Sequence, residues 1–236
     1  MARHGWPPVR AVAGVQVRFA TSLTGERYVT DRLWERATIA SCPWHPDGRC
    51  GFSRHGTYER VTPPGCRVAR WYCPEARATV SALPDCLAAH RRGTLDELER
   101  LALAAERTGS LAGAARTERR EIELPGALRY LGRLRRDVRA VLVAVRGLEP
   151  ERFAGAALTL LGFAAALGIV APGVLVGLRA ECAEHLVRLP VPLGFVPYRI
   201  ARDGRRRATP QRAGRDPPHR TLEARAPDHT DAASRP

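Results

Sequence analysis

The chain contains no lysine, so all 38 of its fixed side-chain cations are arginines. They stand against 24 acids, for a formal net charge of +14. That balance excludes an acidic, solvating chain and points to a polyanionic partner, nucleic acid before membrane. GC-rich coding also replaces lysine with arginine, so the argument rests on where arginines cluster. Cysteine is scarce too, with six in 236 residues, which is no disulfide framework. Residues 1–18 carry Arg3, Arg10 and Arg18 and lack an uninterrupted apolar run, so no secretory leader is read there. These absences place the protein in a reducing cytoplasm, where clustered cysteine and histidine suggest a metal. Hydrophobic residues at 44% and charged residues at 26% are ordinary for a globular protein with a core of its own.

One stretch lacks charge altogether. Residues 153–178 contain no Asp, Glu or Arg, which is long enough to cross a bilayer. Ala and Gly dominate it, Pro172-Gly173 divides it, and arginines flank both ends. The reading adopted is two buried helices and no membrane span.

Four regions follow from the residue pattern. Residues 1–40 form an N-terminal extension, with a weakly alternating strand over 12–19 and a helix over 31–40 that Asp31 would cap. Residues 41–87 hold five of the six cysteines, many turn formers and short β-like apolar runs such as RVARWY. Such a small module needs a metal or bridges to fold. Residues 94–189 read as helices. Thr94 and Glu97 make a capping box for a helix to about 107, and Thr108-Gly109 stops it. Ser110 caps a second helix over 111–116, and Pro125 opens a third that runs to about 146. Two Ala/Leu-rich helices around 151–169 and 173–187 complete the region. Residues 201–236, rich in Arg, Pro and Asp, read as a disordered basic tail. The fold class expected is α+β: a zinc-ribbon-like β module, then a mostly α-helical domain with a helix-turn-helix-like start.

The cysteine-rich region carries most of the chemistry. It reads CPWHPDGRCGF from Cys42 to Phe52, and then WYCPE around Cys73. Zinc prefers thiolate and imidazole in a tetrahedron, and ribbons present these ligands on two turns about twenty residues apart. Cys42 and His45 have the spacing of one such turn, Cys50-Gly51 completes it, and Cys73-Pro74 begins the second. A complete second turn would carry another ligand at position 76 or 77, where Ala76 and Arg77 stand. The expected set for one Zn2+ is therefore Cys42, His45, Cys50 and Cys73, with Cys66 in reserve for His45 or Cys50. Cys86 and Cys182 sit on apolar segments and read as small buried hydrophobes.

The segment from Cys42 to Asp85 resembles the N-terminal zinc-ribbon region of bacterial insertion-sequence transposases and their uncharacterised relatives. The shared layout is a Cys-Pro turn, a basic element of Arg54, Gly56, Tyr58 and Arg60, and a basic strand. An aromatic-Cys turn and the Thr79-Val80 strand follow. The resemblance covers about a fifth of the chain by length. It implies a DNA-binding or DNA-organising role.

The residues agree with that implication. Arg54, Arg60, Arg67 and Arg70 interleave with Tyr58, Trp71 and Tyr72, pairing guanidinium forks for phosphate with aromatic faces. Trp71 or Tyr72 is expected in the core in any case. On the third helix Arg129, Arg133 and Arg136 form one row, and Arg135, Arg139 and Arg146 a second. No carboxylate constellation on an α/β core, phosphate loop, nucleophile elbow or His-Glu-x-x-His helix is present. The expectation is a noncatalytic protein that binds double-stranded DNA, with no small-molecule substrate. The alternative is a protein–protein interaction module with a structural zinc ribbon, whose Ala/Leu helices join copies into a homo-oligomer.

Overall fold

The computed structural model describes residues 14–195. The expected tail at 201–236 lies outside the described residues.

The architecture is α+β. A four-stranded sheet of β1 (Gly14–Phe19), β2 (Ser53–Glu59), β3 (Arg67–Cys73) and β4 (Ala78–Pro84) has the order β1-β4-β3-β2. β2, β3 and β4 are successive antiparallel strands, and β1 joins β4 in parallel. β4, central and buried along its whole length, is correspondingly rich in small and apolar residues. β2 is the exposed edge. Its charges and a register shift between Arg54 and Gly56, where Gly56 takes φ +101°, keep that edge from pairing further.

Before β2 lies α1 (Gly25–Thr30), followed by a 3-10 turn at Leu33–Glu35. This corrects the helix expected over 31–40. Thr24, not Asp31, caps the N-terminus, accepting from Arg27 N at 3.3 Å, and Asp31 is the C-cap. Arg32 turns left-handed at φ 49°, which ends the helical path.

The helical part contains α2 (Leu95–Thr108), α3 (Leu111–Glu118) and α4 (Leu124–Leu148). It continues with α5 (Pro150–Phe153), α6 (Leu160–Leu167) and α7 (Val174–Glu181). The caps read from sequence are in place: Thr94 accepts from Glu97 N, Ser110 accepts from Gly113 N, and Gly109 closes α2 at φ 62°. Leu131, Leu134, Val138, Leu142 and Val145 give α4 one buried face. The last two helices are shorter than expected. Thr159 starts α6 afresh by accepting from Gly162 N at 3.0 Å, and Gly168 ends it in a left-handed turn. Among the described residues no helix is long and apolar enough to cross a membrane.

One continuous core joins sheet and helices, running from Tyr28, Trp34 and Trp71 through Val80 and Leu98 to Leu134 and Phe163. Three buried charges serve it. Glu99 of α2 accepts from Gly173 N, Val174 N and Leu175 N at 2.9, 3.1 and 2.9 Å, capping α7 from a distance. Arg179 of α7 donates to the carbonyls of Pro84, Asp85, Leu87 and Pro192. Asp85 takes a two-pronged contact from Arg18, both at 2.8 Å.

Candidate metal centre and basic helix

Three short-range devices fold the loop before β2 around one point. His45 N donates to Cys42 O at 3.1 Å and Gly48 N to His45 O at 3.0 Å, making two successive tight turns. Gly48, Arg49 and Gly51 all take positive φ, which swings the chain back and sets Cys50 beside Cys42. Cys73 arrives from the other side as the last residue of β3, held by its pairing with Ala78 of β4. The turn between those strands bends so that Ala76 N points at Cys73 Sγ, 3.4 Å away.

The ligand atoms of Cys42, His45, Cys50 and Cys73 consequently lie within 4.8 Å of one another and could hold a metal ion. His45 Nδ1 is 3.6 Å from Cys42 Sγ and 3.4 Å from Cys73 Sγ. A tetrahedron with metal–sulfur bonds of about 2.3 Å and a metal–nitrogen bond of about 2.0–2.1 Å has sulfur–nitrogen edges of about 3.5 Å. The two sulfur–nitrogen edges from His45 to Cys42 and Cys73 therefore match those of a four-coordinate ion. The three thiols are buried and unbridged, in a small cluster of their own against Trp44, Phe52 and Ala76.

The six cysteines divide into two chemistries. Burial opposes ionisation of Cys42. The N–H groups of Trp44 and His45 and the neighbouring thiols of Cys73 and Cys50 outweigh it, so that thiol lies below its ordinary value. Burial holds Cys50 above its ordinary value, against the N–H of Phe52. Outside the cluster, burial pushes Cys66 up to about 11, Cys86 to about 12 and Cys182 to about 11. These three are packed in the main core. The reserve ligand Cys66 has no place in the four-donor group.

The sequence patterns left Glu75 unremarked. Its Oε2 lies 3.3 Å from His45 Nε2, the ring nitrogen that faces away from the sulfurs. The local signal was its place directly after Cys73-Pro74, on the turn that lacks a second ligand.

The arginines singled out for nucleic acid occupy three environments. Arg54 donates to the carbonyls of Trp34, Glu35 and Ala37, and stacks over Trp71 at 5.5 Å. Arg60 donates to the carbonyls of Ala88 and Arg91. Both guanidiniums hold loops against the sheet. Arg67 pairs with Glu59 at 2.8 Å, and Arg70 lies half-buried over the Tyr58 ring at 5.8 Å. Trp71 is core, as expected, and Tyr72 is half-buried.

Arg129, Arg133 and Arg136 differ. All three are exposed on α4, and among the described residues no carboxylate lies within ion-pair distance of any of them. With Gly132 and Arg135 they line an open cavity of about 450 Å³. A second cavity of about 400 Å³ shares Arg135 and Arg136 with it and is lined also by Arg139, Glu106 and the apolar Ala102 and Leu142. Seven positions along α4 therefore bring three unpaired cations into a row about 10 Å long, at 1.5 Å per residue.

Comparison of the chain with protein-family models, curated proteins and solved structures found no match. The functional reading accordingly rests on the site's own geometry.

Proposed function

We propose that this protein binds double-stranded DNA without catalysing a reaction on it, through the arginine face of α4, with a zinc-held ribbon as its stabilised companion module. The observation that carries the reading is the row of Arg129, Arg133 and Arg136, exposed and unpaired beside Arg135 and Arg139. Exposed arginines without an acidic partner also occur elsewhere, such as Arg36, Arg92 and Arg116, but on α4 Arg129, Arg133, Arg135, Arg136 and Arg139 fall within about three turns of one helix, and that density supports a phosphate-binding face. The short α3 between α2 and α4, with its capped turn at Gly109-Ser110, fits a helix-turn-helix-like arrangement.

Zinc is the ion that suits three thiolates and one imidazole brought this close together. Four protein donors fill a tetrahedron and leave no open position, which supports a structural metal over a catalytic one. Three antiparallel strands with ligand-bearing turns at one end also support the likeness to the transposase zinc ribbon, with the arginine-bearing helices downstream.

The test is a titration of duplex DNA against salt. Log affinity falls with log salt at a slope of about −0.9 per phosphate neutralised. Replacing Arg129, Arg133 and Arg136 together by Ala is expected to flatten the slope by up to about three contacts' worth. Truncation at residue 200 is the control, because a basic segment alone gives weak nonspecific binding. If all salt dependence leaves with residues 201–236, the DNA reading fails. The second reading, a protein-interaction module, then takes its place; exposed Leu161 at the start of α6 and Ile169 and Val170 just after its end favour it.

A further inference from the structure

We infer that Glu75 is a positioning residue for the metal centre: its carboxylate holds the proton on His45 Nε2 and so commits Nδ1 to the metal. The inference rests on the metal reading above and goes beyond it in assigning the ligand atom and its outer partner.

The geometry distinguishes the two ring nitrogens. Nδ1 faces the sulfurs of Cys42 and Cys73 at 3.6 and 3.4 Å, and Nε2 faces Glu75 Oε2 at 3.3 Å. A neutral imidazole has one donor nitrogen and one acceptor nitrogen, and the partner on one side decides which is which. A carboxylate accepts and never donates when ionised, so it selects the tautomer with hydrogen on Nε2 and the lone pair on Nδ1. That lone pair is then on the ring nitrogen that lies within 4.8 Å of the three sulfurs. Carboxylate–histidine–metal relays of this type orient the ring and raise its basicity as a ligand.

The same contact accounts for the incomplete second turn. Residues 74–77 supply no ligand after Cys73, because Ala76 and Arg77 occupy the positions where one would fall. Instead this turn supplies a backbone N–H to Cys73 Sγ from Ala76 and a carboxylate to the histidine of the first turn from Glu75. The first turn thus contributes three donors, and the second contributes one donor and the group that aims His45. Ligand imbalance between the turns is offset by a contact that crosses between them. The His45 and Glu75 side chains are 32% and 57% exposed, so Glu75 can be changed without opening the core.

The test uses the full chain, Zn2+ as the probe, and two readouts. Two-bond proton–nitrogen correlation spectra of the zinc-loaded protein report the state of each His45 nitrogen. The expected result is a metal-bound Nδ1 and a protonated Nε2. Competition against a chromophoric chelator reports affinity. Glu75→Ala is expected to keep one zinc per chain but bind it about tenfold more weakly, the low end of outer-partner losses. Its Nε2 proton should exchange faster with solvent. Glu75→Gln, which can still accept from Nε2–H but carries no charge, should recover part of the affinity. A role confined to holding the turn in shape would leave the Nε2 proton signal unmoved. A metal-bound Nε2, or unchanged zinc affinity in Glu75→Ala, overturns the assignment while the metal centre stands. A wild-type chain that takes up no zinc overturns both.

Discussion

The turns around the Cys42–His45–Cys50–Cys73 group and the starts of α6 and α7 face a common difficulty. Each is a stretch of little regular structure whose polar groups must be satisfied. At the cysteine group, chain from the 3-10 turn to β2 has only the isolated bridge between Cys42 and His45, and four donors converge on one point. At the helix starts the partners lie within the chain. Glu106 accepts from Leu160 N, and Glu99, two turns earlier on the same helix, accepts from the first three N–H groups around the start of α7. On the reading proposed above, one region would depend on an ion from outside and the other would not. The difference teaches that the two regions should fail separately.

Cys73→Ser carries the largest expected effect. A thiolate lost from a four-donor site removes the metal, and with it the energy that orders the loop. Hydrogen exchange over residues 41–52 should rise steeply, while that of α2 and α7 stays as in the wild type. Equal loosening of α7 would show that the regions are not independent.

Arg179→Met attacks the other side. It leaves four buried carbonyls without their donor, and about 3–5 kcal/mol of unfolding free energy should disappear. Denaturant titration reads this directly, and the metal content should not change. Burial pushes the Arg179 guanidinium down only to about 10, so it stays charged at neutral pH, and its four carbonyl acceptors keep that charge solvated.

The smallest effect is a slope. Burial holds Glu99 above the ordinary carboxylate value, against the N–H groups of Leu175, Val174 and Gly173 that favour its charge. The folded chain therefore binds this proton more tightly than the unfolded chain. The contribution of Glu99 to stability is full below its unfolded value of about 4 and declines as pH rises through the higher folded value. Glu99→Gln should flatten that part of the pH dependence in urea titrations. An unchanged profile would remove Glu99 as its source.

The same division explains what could be read from sequence. The four grouped donors were legible because three of them fall between positions 42 and 50, and because their residue types have few other common uses in that spacing. Thr94 and Ser110 were legible as caps because each acts three residues along the chain. Glu99 and Glu106 were not: their partners lie 54 or more residues away, and a lone glutamate on a helix reads as a solvent-facing charge. Arg54 and Arg60 were read as cations for phosphate, whereas in the fold their donors meet carbonyls of the 3-10 turn and of the segment after β4. Nothing in a strand pattern states which side of the sheet a loop will cross. Cys66 illustrates the same limit. It was held in reserve for His45 or Cys50, and only the fold, in which Arg60 N donates to its carbonyl at the end of the β2–β3 pair and its thiol is buried in the main core, takes it away from the other thiols.

The choice between those cysteines gives the most direct test of the centre. Zinc content per chain is to be measured for the wild type, Cys50→Ser and Cys66→Ser, purified alike. The four-donor geometry predicts one zinc in the wild type and in Cys66→Ser, and little or none in Cys50→Ser. Metal retained by Cys50→Ser and lost from Cys66→Ser, or a wild type without zinc, would contradict it.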